Sequence, residues 1–147
     1  MAKYTGKIAE LDIMDSAGTV VELALACNIS SSDGVGIETT TEAIEATQLC
    51  DGAMEFTPGL RSSTLSFKLL YDDGAFSSSP QKKIEDLQLN GTTRTVKWRP
   101  SGTGTGKPEY TMSAFVESHS LLAAGGALVG ADVGMKVSGE IVRTTLV

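Results

Sequence analysis

Residues 44–73 read IEATQLCDGAMEFTPGLRSSTLSFKLLYDD, and this stretch decides the fold. Pro58-Gly59 predicts a turn within it, because proline presets φ and glycine tolerates positive φ. After this turn, apolar side chains alternate with polar ones, a period of two that is typical of a half-buried strand; the apolar positions are Leu65, Phe67, Leu69 and Tyr71. The stretch is therefore predicted to be a strand end, a loop, a Pro-Gly turn and a second strand. It offers no nucleophile, metal cluster or phosphate-binding loop, so we expect it to present a surface.

The size and composition of the chain predict one globular domain. Its 147 residues suffice to bury a core within a single domain, 1–147. The apolar fraction of 41% and the charged fraction of 20% are close to globular averages. Aromatic residues are sparse at 5%, whereas Gly, Ser and Thr are plentiful, which favours strands and turns over helices.

The charge of the chain argues against ordinary nucleic-acid recognition. The formal net charge is −6 and the sequence pI is about 4.7. Tight binding to a phosphate backbone needs clustered Lys and Arg, whereas the basic residues here are scattered singly or in the pair Lys82-Lys83. The sequence has no apolar run typical of a signal peptide or a membrane span, so we expect a cytoplasmic product. Cys27 and Cys50 are interpreted as small buried side chains.

Periodicity along the chain predicts about seven strands and one helix. Strands are predicted within 8–14, 18–27, 37–49, 92–99, 109–117 and 133–145, besides the strand after Pro58-Gly59. The helix is predicted over 77–90, with Ser79 as its cap, Pro80 in the first position and Gly91 after its end. A polar loop is expected over 28–36, and an apolar, Gly-rich connection over 121–130. These elements predict a mainly β fold, an antiparallel β-sandwich or barrel flanked by one short helix.

The candidate motifs for chemistry are weak. The run SGTGTGK at 101–107 has Ser101 where a phosphate loop needs glycine, and Pro108 where it needs Ser or Thr, so we interpret it as a loop. His119 is the single histidine, and no nucleophile motif accompanies it. The acidic residues at 51 and 72–73 lack calcium-loop spacing and are interpreted as turns. Paired carboxylates for glycoside cleavage stay open, but sugar-stacking aromatics are few. We expect no enzyme activity, metal or cofactor.

The order of elements resembles that of the tail tube (major tail) proteins of long, non-contractile-tailed bacteriophages. The first shared feature is the strand IEATQ followed by a loop and EFTPGLRSSTLSFKLLYDD. The second is the single helix at 79–89 followed by RTVKWRPSGTG. The third is the closing pair of strands in YTMSAFVESHSLLAAGGALVGADVGMKVSGEIV. The resemblance extends from about residue 8 to residue 143.

This resemblance implies a structural virion protein. It implies hexameric rings that stack into a tail tube, with tape-measure and tail-terminator or tail-tip proteins as partners and no membrane. Phage DNA then passes through the lumen without sequence-specific binding, since a net negative subunit repels phosphates. The implied location is the virion tail, after assembly in the host cytoplasm. The candidate subunit-contact residues are Met54, Phe56, Pro58, Gly59, Leu60, Asp33, Gly34, Leu121 and Leu122.

Two other functions remain open from the sequence. One is a secretion-system injection-tube subunit, which shares the architecture. The other is a soluble β-sandwich binding module, such as a carbohydrate-binding domain. Trp98 bears on the second alternative, and we interpret it as a core anchor because indole rings favour partly buried positions.

Overall fold

The computed structural model describes residues 9–25, 29, 34–50, 52–70, 80–122 and 130–147. Within them the chain forms seven strands and one helix: β1 (Glu10–Met14), β2 (Val21–Ala24), β3 (Val35–Glu45), β4 (Phe56–Leu70), α1 (Pro80–Asn90), β5 (Arg94–Arg99), β6 (Pro108–Leu122) and β7 (Gly130–Thr145). The predicted mainly β fold, with antiparallel strands and one short helix, is confirmed. The strands form a single sheet in the order β2-β1-β5-β6-β7-β4-β3, and this sheet does not close, because β2 and β3 are its edges.

One face of the sheet carries the hydrophobic core. Apolar side chains recur at every second position of the central strands, so they all point to the same side. The alternation predicted after Pro58-Gly59 is confirmed for three positions, since Leu65 and Leu69 of β4 are fully buried and Phe67 is 5% exposed. Tyr71, the fourth, lies outside the described residues. The neighbouring strands complete this core with Val96, Met112, Ala114, Ala131, Val133, Met135 and Val137.

Helix α1 lies on the core beside β6. Ile84 is fully buried, and the Gln81 side chain donates from Nε2 to the Leu70 carbonyl at 2.8 Å. The helix ends before Gly91, which has a φ of +62°, a conformation that glycine adopts without steric cost. The predicted helix is therefore confirmed over Pro80–Asn90, whereas 77–79, with the expected cap, lie outside the described residues.

Several predicted segment boundaries change. The strand predicted over 37–49 is Val35–Glu45, so the last two residues of the expected loop 28–36 belong to β3. The apolar connection predicted over 121–130 begins inside β6 and ends inside β7, and residues 123–129 lie outside the described part of the chain. Among the described residues, no helix combines the length and apolar character needed to cross a bilayer.

A half-buried ion cluster ties together three strands on one side of the sheet. The Arg99 guanidinium of β5 donates to Asp12 of β1 at 2.8 Å and to Glu109 of β6 at 2.7 Å, with Glu10 at 3.3 Å. Burial acts to lower the pKa of Arg99, but the hydrogen bonds and charges of Glu109 and Asp12 outweigh it, so this pKa is raised. The cluster fastens β1 to β5 and β6.

Candidate assembly surface

The β3–β4 hairpin extends far beyond the rest of the sheet. β4 pairs with β7 only from Ser63 to Leu70, whereas it pairs with β3 along the whole length from Phe56 to Phe67. Residues 40–62 therefore form a two-stranded ribbon with no third strand beside it among the described residues, and we call this ribbon the arm. A two-stranded ribbon buries little apolar surface, so the side chains of the arm are largely exposed to solvent.

Pro58 and Gly59 lie inside β4, so the predicted Pro-Gly turn is wrong. Pro58 stands opposite Ala43, and just beyond this pair β4 holds two residues, Gly59 and Leu60, where β3 has only Glu42. This extra residue is a β-bulge, and a bulge at a sheet edge is a place where proline is tolerated. The chain reverses direction before β4 begins, between Glu45 and Phe56.

Gly59 is required by the close approach of β3. A Cβ at this position would lie 3.0 Å from Cδ1 of Ile44 and 3.2 Å from Cβ of Glu42. Both distances are shorter than ordinary van der Waals contact, because the two side chains lie over the glycine. The glycine therefore lets the bulge form without pushing β3 away from β4.

The end of the arm is held by its own hydrogen bonds. We call residues 46–55 the arm tip; the structure describes all of them except Asp51. The Ala46 amide donates to the Glu55 carbonyl at 2.8 Å, and the Glu55 amide donates to Thr47 Oγ1 at 2.8 Å. Cys50 lies in this tip and is exposed, so the prediction of a buried side chain is wrong for it; Cys27 is outside the described residues. The tip lies at the far end of a two-stranded ribbon, too far from the core to bury a thiol.

Large apolar side chains are exposed along the arm. Met54 is 64% exposed, Phe56 57% and Leu60 83%. Together with Pro58 and Gly59, they are the predicted contact residues that the structure brings together on one projecting element. Contiguous exposed apolar side chains mark surfaces that bind other proteins. Their role in subunit contacts stays a prediction.

The remaining predicted contact residues lie at the opposite end of the sheet. Gly34 immediately precedes β3, Leu121 is 58% exposed near the end of β6, and Leu122 pairs with Gly130. Asp33 lies outside the described residues. Thirteen residues of extended β4 separate Phe56 from the Leu69 row, which spans about 40 Å. The predicted contacts therefore form two groups at the two ends of the molecule.

A groove opens where β4 and β7 separate. Beyond the pair Ser63–Val137, β4 stays with β3 and β7 stays with β6, so the two strands diverge. The space between them has a volume of about 1090 Å³. We call it the cleft; its walls are the base of the arm on one side and the last part of β7 on the other.

The floor of the cleft is the uncovered end of the core. Trp98 of β5 stands opposite Tyr110 of β6, and both pack against the core together with Ile37 and Ile141. All four are only partly buried and line the cleft. The interpretation of Trp98 as a core anchor is confirmed, but its ring also faces this opening.

The outer part of the arm is acidic, whereas the cleft walls carry a net positive charge. From Thr40 to Leu60 the sequence has four acidic residues, at 42, 45, 51 and 55, and no Lys or Arg. The cleft walls carry Arg61, Glu140 and Arg143. Arg61 pairs with Glu140 at 3.2 Å, whereas Arg143 forms no ion pair with another described residue. The cleft therefore offers one positive charge without a partner.

Sequence reasoning did not identify these cleft residues. Arg61 and Glu140 are separated by 79 positions, and only the strand order brings them together. A local signal existed at Gly139, which has a φ of +85° and begins an irregular part of β7, where three residues stand against Met112 alone. A glycine inside a strand often marks such a bulge, which redirects the side chains after it.

The weak motifs for chemistry have structural roles. The run 101–107 connects β5 to β6, and its Gly106 amide donates to the Leu146 carbonyl at 2.7 Å. His119 lies in β6 opposite Val133 and is half-buried. No group of three potential metal ligands occurs among the residues that the structure describes.

Comparison with known proteins rests on structure. No protein-family model matches the sequence, and no curated protein is significantly similar to it. A chain from the tail of an empty gene transfer agent particle, solved with C6 symmetry, superposes with a TM-score of 0.74 and 15% identity, over 97% of this chain and 99% of that one. The chain has the tail-tube fold.

Two further structures have this fold. The SPP1 tail tube matches with a TM-score of 0.75 and 15% identity, over 99% of this chain and 81% of that one. A chain of the sheath-tube complex of an extracellular contractile injection system, PVC, matches with a TM-score of 0.68 and 12% identity, over 98% and 93% of the two chains. The fold match therefore extends over nearly the whole chain.

Proposed function

We propose that this chain is a structural subunit of a virion tail tube, which assembles into hexameric rings that stack into the conduit for genome delivery. The observation that carries the proposal is the end-to-end match with the gene transfer agent tail, at 97% and 99% of the two chains. That particle was solved with C6 symmetry, which supports a ring of six. A match confined to part of the chain would support only a shared domain.

The shape of the subunit supports open-ended assembly. The predicted contact residues lie at both ends of the sheet, on the arm and around Gly34 and Leu121. Two different surfaces that bind each other make a heterologous contact, and such a contact continues indefinitely unless rotation closes it. Within a ring the contact closes, and along the axis it continues, which gives a tube.

The charge supports a lumen that does not hold DNA. The net charge of −6 repels phosphate, so a duplex slides instead of binding. We further propose tape-measure and tail-terminator or tail-tip proteins as partners, assembly in the host cytoplasm and location in the virion tail. In this proposal the chain has no catalytic role.

An injection-tube subunit is the second candidate. The match with a chain of the PVC sheath-tube complex, at a TM-score of 0.68, favours it. The two candidates differ in the genes expected beside the gene for this chain. Capsid and tape-measure genes beside this one support the virion tail, whereas sheath and spike genes support the injection system.

The soluble binding module predicts that glycans raise the melting temperature of the monomer, and the tube predicts no such rise.

The decisive experiment is electron microscopy of the purified chain at increasing concentration, with native mass spectrometry of the same samples. We expect annular or tubular particles and masses at multiples of six subunits. A variant without the arm tip, in which a Gly-Ser link replaces residues 46–55, serves as the control and is expected to stay small. A chain that stays monomeric at every concentration, with or without tail partner proteins, contradicts the proposal.

A further inference from the structure

The cleft has the features of a site for a polypeptide segment. Its volume of about 1090 Å³ lies at the upper limit of small-molecule pockets, which range from about 300 to 1,000 Å³. Both of its walls are strand edges, since the base of β4 there pairs only with β3 and the end of β7 only with β6. An open strand edge presents unpaired amide and carbonyl groups, which an added extended segment can bind.

The chemistry of the cleft selects an acidic and apolar segment. Its floor is formed by the half-buried side chains of Trp98, Tyr110, Ile37 and Ile141. An apolar segment laid on this floor would remove its remaining apolar surface from water, which is favourable. Its wall carries Arg143, which has no ion-pair partner among the described residues, and an arginine of this kind is suited to a carboxylate. The occupant must therefore bring apolar side chains together with negative charge.

The arm tip and the residues beside it have this composition. Met54 and Phe56 are 64% and 57% exposed, and Glu55 lies between them in sequence. The arm carries no basic residue from Thr40 to Leu60. The stretch Met54 to Phe56 thus offers two large apolar side chains for the cleft floor and, on the other side of the extended chain, one carboxylate for Arg143.

The arm tip cannot enter the cleft of its own chain. The base of the arm forms one wall of this cleft, and pairing with β3 keeps Phe56–Pro58 extended, so Glu55 is held about 13 Å from Gly59, the first residue of β4 that lines the cleft. The occupant must therefore come from another copy. Because tip and cleft are different surfaces, each copy inserts its own tip into one neighbour and receives a tip from another.

We propose that the arm tip of one copy docks in the cleft of a second copy, with Arg143 of the receiving copy facing Glu55 of the incoming tip. This inference rests on the proposed tail-tube function and specifies one contact within it. It places the receiving surface on the cleft, instead of on the opposite end of the sheet near Leu121.

Charge reversal followed by exchange tests the contact. Arg143→Glu is expected to raise the concentration needed for particle formation about tenfold, and Glu55→Arg to do the same. The double variant is expected to assemble again, because the pair is restored with opposite sign. Lys136→Glu is the matched control, since it makes the same charge change on β7 outside the cleft. Circular dichroism of each monomer excludes loss of the fold.

Cross-linking gives an independent readout. In a Cys27→Ser background, native Cys50 is the cross-linking site on the arm tip. A second cysteine is introduced at one of the two possible receiving surfaces, by Ser62→Cys in the cleft or by Leu121→Cys at the opposite end of the sheet. A short bismaleimide is expected to give a ladder of oligomers with Ser62→Cys and not with Leu121→Cys. Particles in which only Leu121→Cys cross-links, or in which the double charge variant is not restored, overturn the cleft contact and leave the tail tube standing. A wild-type chain that never assembles overturns both.

Discussion

Arg61 and Glu140 form an ion pair, with 3.2 Å between Nη2 and Oε1, at the place where β4 and β7 have already stopped pairing. The two residues lie on opposite walls of the cleft. Their side chains are 65% and 83% exposed, so water and salt screen the interaction strongly. The pair therefore links the two walls of the cleft and contributes little to the stability of the fold.

A double-mutant cycle measures this bridge. We expect Arg61→Ala and Glu140→Ala to show a coupling free energy of about 0.2–1 kcal/mol in the unfolding of the monomer, because exposed ion pairs contribute no more than this. Urea titrations of the four proteins at low and high salt provide the measurement. A coupling that persists unchanged at about 1 M salt contradicts an interaction exposed to solvent.

Two leucines of β4 lie in different environments, one in the core and one on the arm. Leu65 is fully buried, so Leu65→Ala is expected to lower the free energy of unfolding by about 2–5 kcal/mol. Leu60 is 83% exposed in the same strand, so Leu60→Ala is expected to change it by less than about 0.5 kcal/mol. Chemical denaturation of the two variants compares the same substitution in both positions. Equal losses contradict the separation of core and arm.

The central strands were predictable because their pattern is local. Leu65, Phe67 and Leu69 alternate with polar residues, and burial on one face of the sheet requires such alternation. The end of the helix was predictable for a similar reason, since Gly91 stands where the chain needs positive φ. In both places one short segment carries the whole signal.

The arm and the cleft were not predictable from local patterns. In an isolated segment Pro58-Gly59 would favour a turn. In the protein, pairing with β3 overrides this preference: Pro58 pairs with Ala43, and Gly59 belongs to a bulge inside β4. The cleft depends on where β4 leaves β7, which involves residues 79 positions apart, such as Arg61 and Glu140. The point at which β4 and β7 diverge depends on the pairing of the whole sheet, so neither segment alone predicts it.

Gly59 provides a test of the bulge. The added methyl group of Gly59→Ala would lie 3.0 Å from Ile44 Cδ1 and 3.2 Å from Glu42 Cβ, so the Ile44 side chain must rotate and β3 must move by a few tenths of an ångström at Glu42. We expect a loss of about 1–3 kcal/mol in the free energy of unfolding, as for other overpacked sites. Gly52→Ala is the control in the same hairpin, because no atom lies within 4 Å of its added Cβ. A loss no larger than that of the control contradicts the close approach.

The turn between β1 and β2 predicts a loss of stability in acid. Asp15 Oδ1 accepts a hydrogen bond from the Thr19 amide at 3.0 Å and a longer one from the Val20 amide at 3.4 Å. These bonds, above all that of Thr19, lower the pKa of Asp15 below its ordinary value of 3.8. A carboxylate whose pKa is lowered by folding stabilises the native state above its unfolded pKa, and this contribution disappears as the pH falls through the folded pKa.

Asp15→Asn removes the charge and keeps an acceptor oxygen in the turn. We therefore expect the variant to be less stable than the wild type at neutral pH, and the difference to shrink as the pH falls below 3.8, where the wild-type carboxylate becomes protonated. Urea titrations of both proteins from neutral pH into this acid range measure the difference, with Ser16→Ala as a control in the same turn. A difference that stays constant, or grows in acid, contradicts the role of the Asp15 charge, because a neutral hydrogen bond alone gives no pH dependence.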